Sequence, residues 1–125
     1  MSISVYEVDA SEADALKKFL EYYPYLDKAL NEEALKNLRS DKLANVIFAR
    51  QEYSLRDGES IGMPPGKSYL YIKAGDEFLK LAEEKLLKNF KTVKKAPKTA
   101  EQKFIAIIDD EESRGNAGIG SIFGG

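Results

Sequence analysis

Apolar positions change their period repeatedly along this chain, and each change marks an element. Ile3 to Val8 is a β-rich run and predicts a strand. After it, Leu16, Phe19, Leu20 and Tyr23 recur at helical spacing. Ser11 caps this expected helix, with Glu12 and Asp14 near the positive end of its dipole, and Pro24 ends it. Leu26, Leu30, Ala34, Leu35 and Leu38 repeat the stripe over residues 25–39, with a break point at Asn31-Glu32-Glu33. From Leu43 to Leu55 the period becomes two and predicts a half-buried strand. Ile47, Ala49, Tyr53 and Leu55 share one face, and Phe48, Arg50, Glu52, Ser54 and Arg56 the other. Asp57-Gly58 signals a turn, and the prolines of Gly62-Met63-Pro64-Pro65-Gly66 remove donors and fix φ, so a loop follows. Lys67 to Ala74 alternates again, with Leu70 and Ile72 inward and Lys67, Tyr69, Tyr71 and Lys73 on the opposite face. The two strands are expected to pair antiparallel.

Asp76 then caps a third helix with the stripe Phe78, Leu79, Ala82, Leu86 and Phe90, and Thr92-Val93 suits a short edge strand. Thr99 and Gln102 match a capping box before the apolar run Phe104 to Ile108, which predicts a C-terminal helix over residues 99–114. Asp109, Asp110, Glu111 and Glu112 sit at its negative end and predict a frayed last turn. The order of elements predicts an α+β fold: a small, mainly antiparallel sheet with helices packed on one face, then a C-terminal helix and a flexible tail. Residues 1–108 form one domain in this reading, and residues 109–125 an acidic, Gly-rich tail.

Composition narrows the chemistry. The 125 residues include no His and no Cys. That removes thiol nucleophiles, thiolate metal sites, Ser–His–Asp catalysis and the commonest base at neutral pH. The chain is expected to be non-enzymatic, with no cofactor and no metal. Four consecutive acids on a helix point about 100° apart, so residues 109–112 do not converge on one cation. Gly62 to Ser68 fails as a phosphate loop, because only three residues separate the glycines before Lys67 and a strand follows instead of a helix. Gly118-Ile119-Gly120 has neither the strand nor the helix of a dinucleotide site. No apolar run reaches the roughly 18–20 residues of a membrane span, and Met1-Ser2-Ile3-Ser4 lacks a basic leader, so a cytoplasmic location and no membrane partner are expected.

The formal charge of −2 hides a split: residues 1–41 carry −4, residues 42–98 carry +5 and residues 99–125 carry −3. Within the basic middle, Tyr69 and Tyr71 lie between Lys67 and Lys73 on one strand face. Arg50, Arg56 and Phe48 share the outward parity of the preceding strand. Rings stack bases and cations hold phosphates, so this face is the expected site for single-stranded nucleic acid, mostly independent of sequence. The alternative is that Tyr69 and Tyr71 pack beneath a helix or a partner, which parity alone does not decide. Lys88, Lys91, Lys94, Lys95 and Lys98 add further cations. Stacking serves DNA and RNA alike, because discrimination rests on 2′-hydroxyl contacts.

The stretch Arg50 to Leu86, with Asp57-Gly58, Gly62-Met63-Pro64-Pro65-Gly66-Lys67, Tyr69-Leu70-Tyr71-Ile72 and an acid-capped amphipathic helix, resembles the ThermoDBP-type single-stranded DNA-binding proteins of thermophilic archaea and their relatives. The resemblance implies a cleft lined by aromatic and basic side chains, Lys67, Tyr69, Tyr71 and Lys73 by position, and a C-terminal helix used for dimerisation. The Lys-rich, Cys-free, Gln-poor composition suits a thermophile. The tail is similar in composition to those of bacterial single-strand-binding proteins, so Ile122 and Phe123 are expected to meet a protein partner. A homodimer or higher homo-oligomer is expected. The rival reading is an oligomeric protein-interaction module that uses the basic middle and the acidic Ile-Phe tail.

Overall fold

A computed structural model of the chain describes residues 1–122, and the side-chain surroundings of residues 1–115. The chain runs through strand β1 (Ser2–Asp9), helices α1 (Ala10–Glu21) and α2 (Glu32–Ser40), strands β2 (Glu52–Asp57) and β3 (Lys67–Ala74), helix α3 (Asp76–Asn89), strand β4 (Lys94–Lys95) and helix α4 (Lys98–Ile122). Single 3-10 turns occupy Pro24–Leu26, Phe48–Arg50 and Glu59–Ile61. The strands form one sheet in the order β2-β3-β1-β4, with every neighbouring pair antiparallel. This is the expected α+β fold. Among the described residues no helix is long and apolar enough to cross a membrane.

Strand parity assigns side chains to two cores. Tyr6, Val8, Leu70, Ile72 and Ala74 face α1 and α3, where Leu16, Leu20, Leu79, Ala82 and Leu86 close over them. Val5, Tyr69 and Tyr71 face the other way and meet Ala100 and Phe104 of α4, with Ile61 at the rim. The sheet is therefore covered on both sides, and not on one face as the order of elements predicts, because both faces of β1 and β3 are apolar. The C-terminal helix, left without a face by the sequence, takes the face opposite α1 and α3.

The strand expected from Leu43 begins only at Glu52. The Asp41 side chain accepts hydrogen bonds from the amides of Leu43 and Ala44, at 3.0 and 3.2 Å, and turns the chain there. Val46, Ile47 and Phe48 are then buried in succession ahead of the strand, outside its hydrogen-bonded pairing. The Phe48 ring lies 5.6 Å from Phe19 and 6.0 Å from Phe78, in a 3-10 turn that aims it into the first core. The helix expected over residues 25–39 likewise begins late. Asn31 is its cap, accepting from the Ala34 amide at 2.8 Å, so α2 starts at Glu32.

Other boundaries shift for local reasons. Ser11 lies inside α1 and caps nothing; the cap position is Asp9, without a side-chain bond. Glu12 instead accepts from the amides of Lys91 and Thr92 and from the Thr92 hydroxyl, which ties α1 to the segment after α3. Gly75 takes the cap position expected of Asp76, which becomes the first residue of α3. The edge strand forms at Lys94–Lys95, because Val93 is drawn into the core. Thr99 is within α4, whose first turn is set by the Glu101 amide donating to the Pro97 carbonyl at 3.0 Å. Gly58 occupies an ordinary helical φ, but a Cβ there would stand 2.6 Å from the Pro64 carbonyl oxygen. Gly62 and Gly66, at φ 80° and 103°, supply the left-handed turns that frame the proline loop.

Residues 109–112 do not end the helix. α4 runs on to Ile122, so no break in secondary structure falls at the expected 108/109 boundary. Two ion pairs offset the unfavourable acids: Arg56 with Glu111 at 2.6 Å, and Arg114 with Asp110 at 3.1 Å one turn on.

Candidate functional site

The expected aromatic face is not open. Tyr69 and Tyr71 are 3% and 2% exposed, beneath α4, with the Tyr71 ring 5.7 Å from that of Phe104. Phe48 is 2% exposed and belongs to the opposite core. None of the three offers a ring to a base. The physical reason is apolar demand: Val5, Ile61, Tyr69 and Tyr71 together make an apolar patch, and α4 carries Ala100, Phe104 and the half-buried Ile105, Ile107 and Ile108 to cover it.

Two cations of that face, Arg56 and Lys67, are also committed. The Arg56 guanidinium makes two hydrogen bonds to Glu111, at 2.7 and 2.6 Å, and lies 5.7 Å from the Phe104 ring centre. Each partner stabilises the other's charge: the Glu111 carboxyl is held below the usual carboxylate range and Arg56 is raised. Lys67 lies 3.3 Å from Asp9, its cross-strand neighbour, and 3.4 Å from the buried Glu7. Lys94 reaches the same Glu7 at 3.1 Å. Lys73 is half-buried opposite Glu52 in the β2–β3 register. Burial pushes the Tyr71 hydroxyl up, and Glu52, Glu112 and Asp109 push it the same way.

Arg50 behaves differently. It is not on the strand but in the 3-10 turn before it, exposed, and far in sequence from Arg56's partners. Its guanidinium carbon lies 5.0 Å from the ring centres of both Tyr23 and Tyr25, and its Nε donates to the Tyr23 hydroxyl at 2.8 Å. Arg39, in the last turn of α2, stands 5.6 Å from the same Tyr25 ring. Tyr22 and Leu26, close to these rings in sequence, are 48% and 79% exposed. Neither Arg39 nor Arg50 is in an ion pair among the described residues. Sequence reasoning missed this cluster. Its signal was Tyr22-Tyr23-Pro24-Tyr25, three rings around a helix stop, more than the α1 stripe needs.

Two further places carry polar chemistry. Lys88, Lys91, Lys94, Lys95 and Lys98 are all exposed, at the end of α3 and along the β4 edge. At the other end of that edge, a groove of about 410 Å³ is lined by Ser4, Tyr6, Asp76, Lys80, Glu83 and Lys95. Burial, then Glu83, pushes the Tyr6 hydroxyl up to about 12, so it remains a neutral donor at physiological pH. Lys85 is half-buried: its ammonium donates to the carbonyls of Ala44 and Val46 at 3.2 and 3.0 Å, holding the irregular segment before β2. Burial lowers its pKa. Among the described residues no cluster of acids is arranged to hold a metal ion. The side chains of Ile122 and Phe123, expected to meet a protein partner, lie outside the described residues. No family model, no curated protein and no solved structure matches this chain.

Proposed function

We propose that this chain is a non-enzymatic interaction module that binds a partner protein through the tyrosine–arginine surface between residues 22 and 50. The observation that carries the reading is that Arg39 and Arg50 are stacked on Tyr23 and Tyr25 without a counter-ion among the described residues, beside exposed Tyr22 and Leu26. Tyrosine and arginine are the residues most enriched at the energetic centres of protein interfaces. The charge around them is nearly balanced: residues 22–50 hold five basic and four acidic side chains. Binding of nucleic acid is driven by release of counterions from phosphates, and a balanced surface contributes little to it.

One observation favours single-stranded nucleic acid as a second reading. Residues 85–98 contain six lysines and no acid, and five of these lysines are exposed. The contact would then be electrostatic, at the end of α3, with Tyr69 and Tyr71 supporting the fold and not the bases. Fluorescence anisotropy with labelled oligodeoxythymidine, run across a salt series, separates the readings. The first expects little binding, unchanged by Arg39→Ala and Arg50→Ala. Affinity that falls steeply with salt and is lost in Lys88→Glu and Lys91→Glu would replace it with the second.

A further inference from the structure

Resting on the interaction-module reading, we infer that the tyrosine–arginine surface docks an acidic peptide segment whose carboxylates alternate with apolar side chains. The argument begins with how the two guanidiniums are held. A guanidinium over a ring still carries its N–H donors, and those without a hydrogen-bond partner are available to a planar carboxylate. Arg50 spends one N–H on the Tyr23 hydroxyl, and the rest of its fork makes no hydrogen bond among the described residues. Arg39 makes none. Stacking removes rotamer freedom beforehand, so less is lost when an anion arrives.

Acids close in sequence to this surface do not quench it. Asp27 accepts from the Tyr22 hydroxyl at 2.7 Å and from the Ala29 amide at 2.9 Å. Asp41 accepts from the amides of Leu43 and Ala44. Both carboxylates shape the loop backbone, and neither pairs with a guanidinium of this surface. Glu32, Leu35, Lys36 and Arg39 share one open face of α2, which ends at Arg39. Leu35 is half-buried there, Leu26 is exposed nearby in sequence, and α2 has no buried residue.

These features fix the partner's chemistry. Carboxylates answer Arg39 and Arg50; apolar side chains answer Leu26, Leu35 and Tyr22. Aliphatic surface has no use for a nucleotide chain. The exposed Glu32 and Glu33 at the start of α2 repel a strand carrying a phosphate at every step, whereas a peptide can space its charges.

A displayed library of random peptides, selected on the full chain and counter-selected on the Arg39→Ala/Arg50→Ala double variant, tests this. Circular dichroism verifies that the variant is folded. Sequences that depend on the two arginines are expected to be enriched in Asp or Glu interleaved with Leu, Ile or Phe. Synthetic copies should bind the full chain and lose at least about tenfold in affinity on the double variant, on Arg39→Lys/Arg50→Lys, and on Leu26→Asp. Arginine-dependent sequences that are neutral or basic would overturn the acidic chemistry and leave the interaction module standing. No arginine-dependent sequence at all, together with salt-sensitive binding of oligodeoxythymidine, would overturn both.

Discussion

Tyr71 and Phe104 show what a single ring does here. Each is buried from a different element, and they meet across the second core. Removing either leaves a cavity that α4 cannot close without moving, so Tyr71→Ala and Phe104→Ala are expected to cost about 3–5 kcal/mol each, read as a fall in the urea midpoint. A ring that served only to stack bases would leave the midpoint unchanged. Glu12 acts through hydrogen bonding instead. The Thr92 hydroxyl, the Thr92 amide and the Lys91 amide hold its carboxyl below the ordinary 4.5. A carboxylate with a depressed folded pKa contributes stability above its unfolded pKa and loses it as pH falls through the folded one. Thermal melts between pH 6 and about pH 3 should therefore show a decline below the ordinary glutamate value, and Glu12→Gln should flatten that part of the curve. An unchanged slope in the variant would assign the acid sensitivity elsewhere. Gly58 is a third kind of residue, where space and not φ excludes a side chain.

At the scale of elements, α2 and α4 stand at opposite extremes. α2 buries no residue fully and is held by its Asn31 cap and half-buried Ala34, Leu35 and Leu38. Loss of a cap costs about 1 kcal/mol, and for a helix with so little packing this is felt locally. Asn31→Ala should speed amide hydrogen exchange across residues 34–40 while the global melt moves little. A large fall in the global melting temperature would mean that α2 is coupled to the core after all. α4 is the reverse: its first half is core, and its acidic stretch is pinned by Arg56 to Glu111. Glu111→Gln should raise exchange in residues 109–115 and leave residues 100–108 protected.

For the molecule as a whole, the sheet is a central layer that needs both covers. A chain ending at residue 97 would leave Val5, Tyr69 and Tyr71 in water on one face. It is expected to aggregate or to lose cooperative unfolding, observed by light scattering and by the shape of the urea transition. A cooperative, monomeric fragment 1–97 would show that the second core is dispensable, and would return the aromatic face to consideration as a binding surface.

The sequence by itself determined the periodic elements. β1, β3, α1 and α3, the pairing of β2 with β3, and the parity that puts Leu70 and Ile72 opposite Tyr69 and Tyr71 follow from local repetition, which depends only on neighbouring residues. It also named Asn31 as a break and Gly62 and Gly66 as loop glycines. What lies over each face was decided by tertiary structure. Nothing near Tyr71 states that Phe104 will cover it, and nothing near Lys67 states that Glu7 and Asp9 of β1 will sit across from it. Those contacts span 33 to 60 residues of chain. The same holds for Arg50, read as part of a strand until Asp41 turned the chain and stacked it on Tyr23 and Tyr25. Period is a local property and burial is a global one, because an apolar face is satisfied by any apolar face that the folded chain can bring to it.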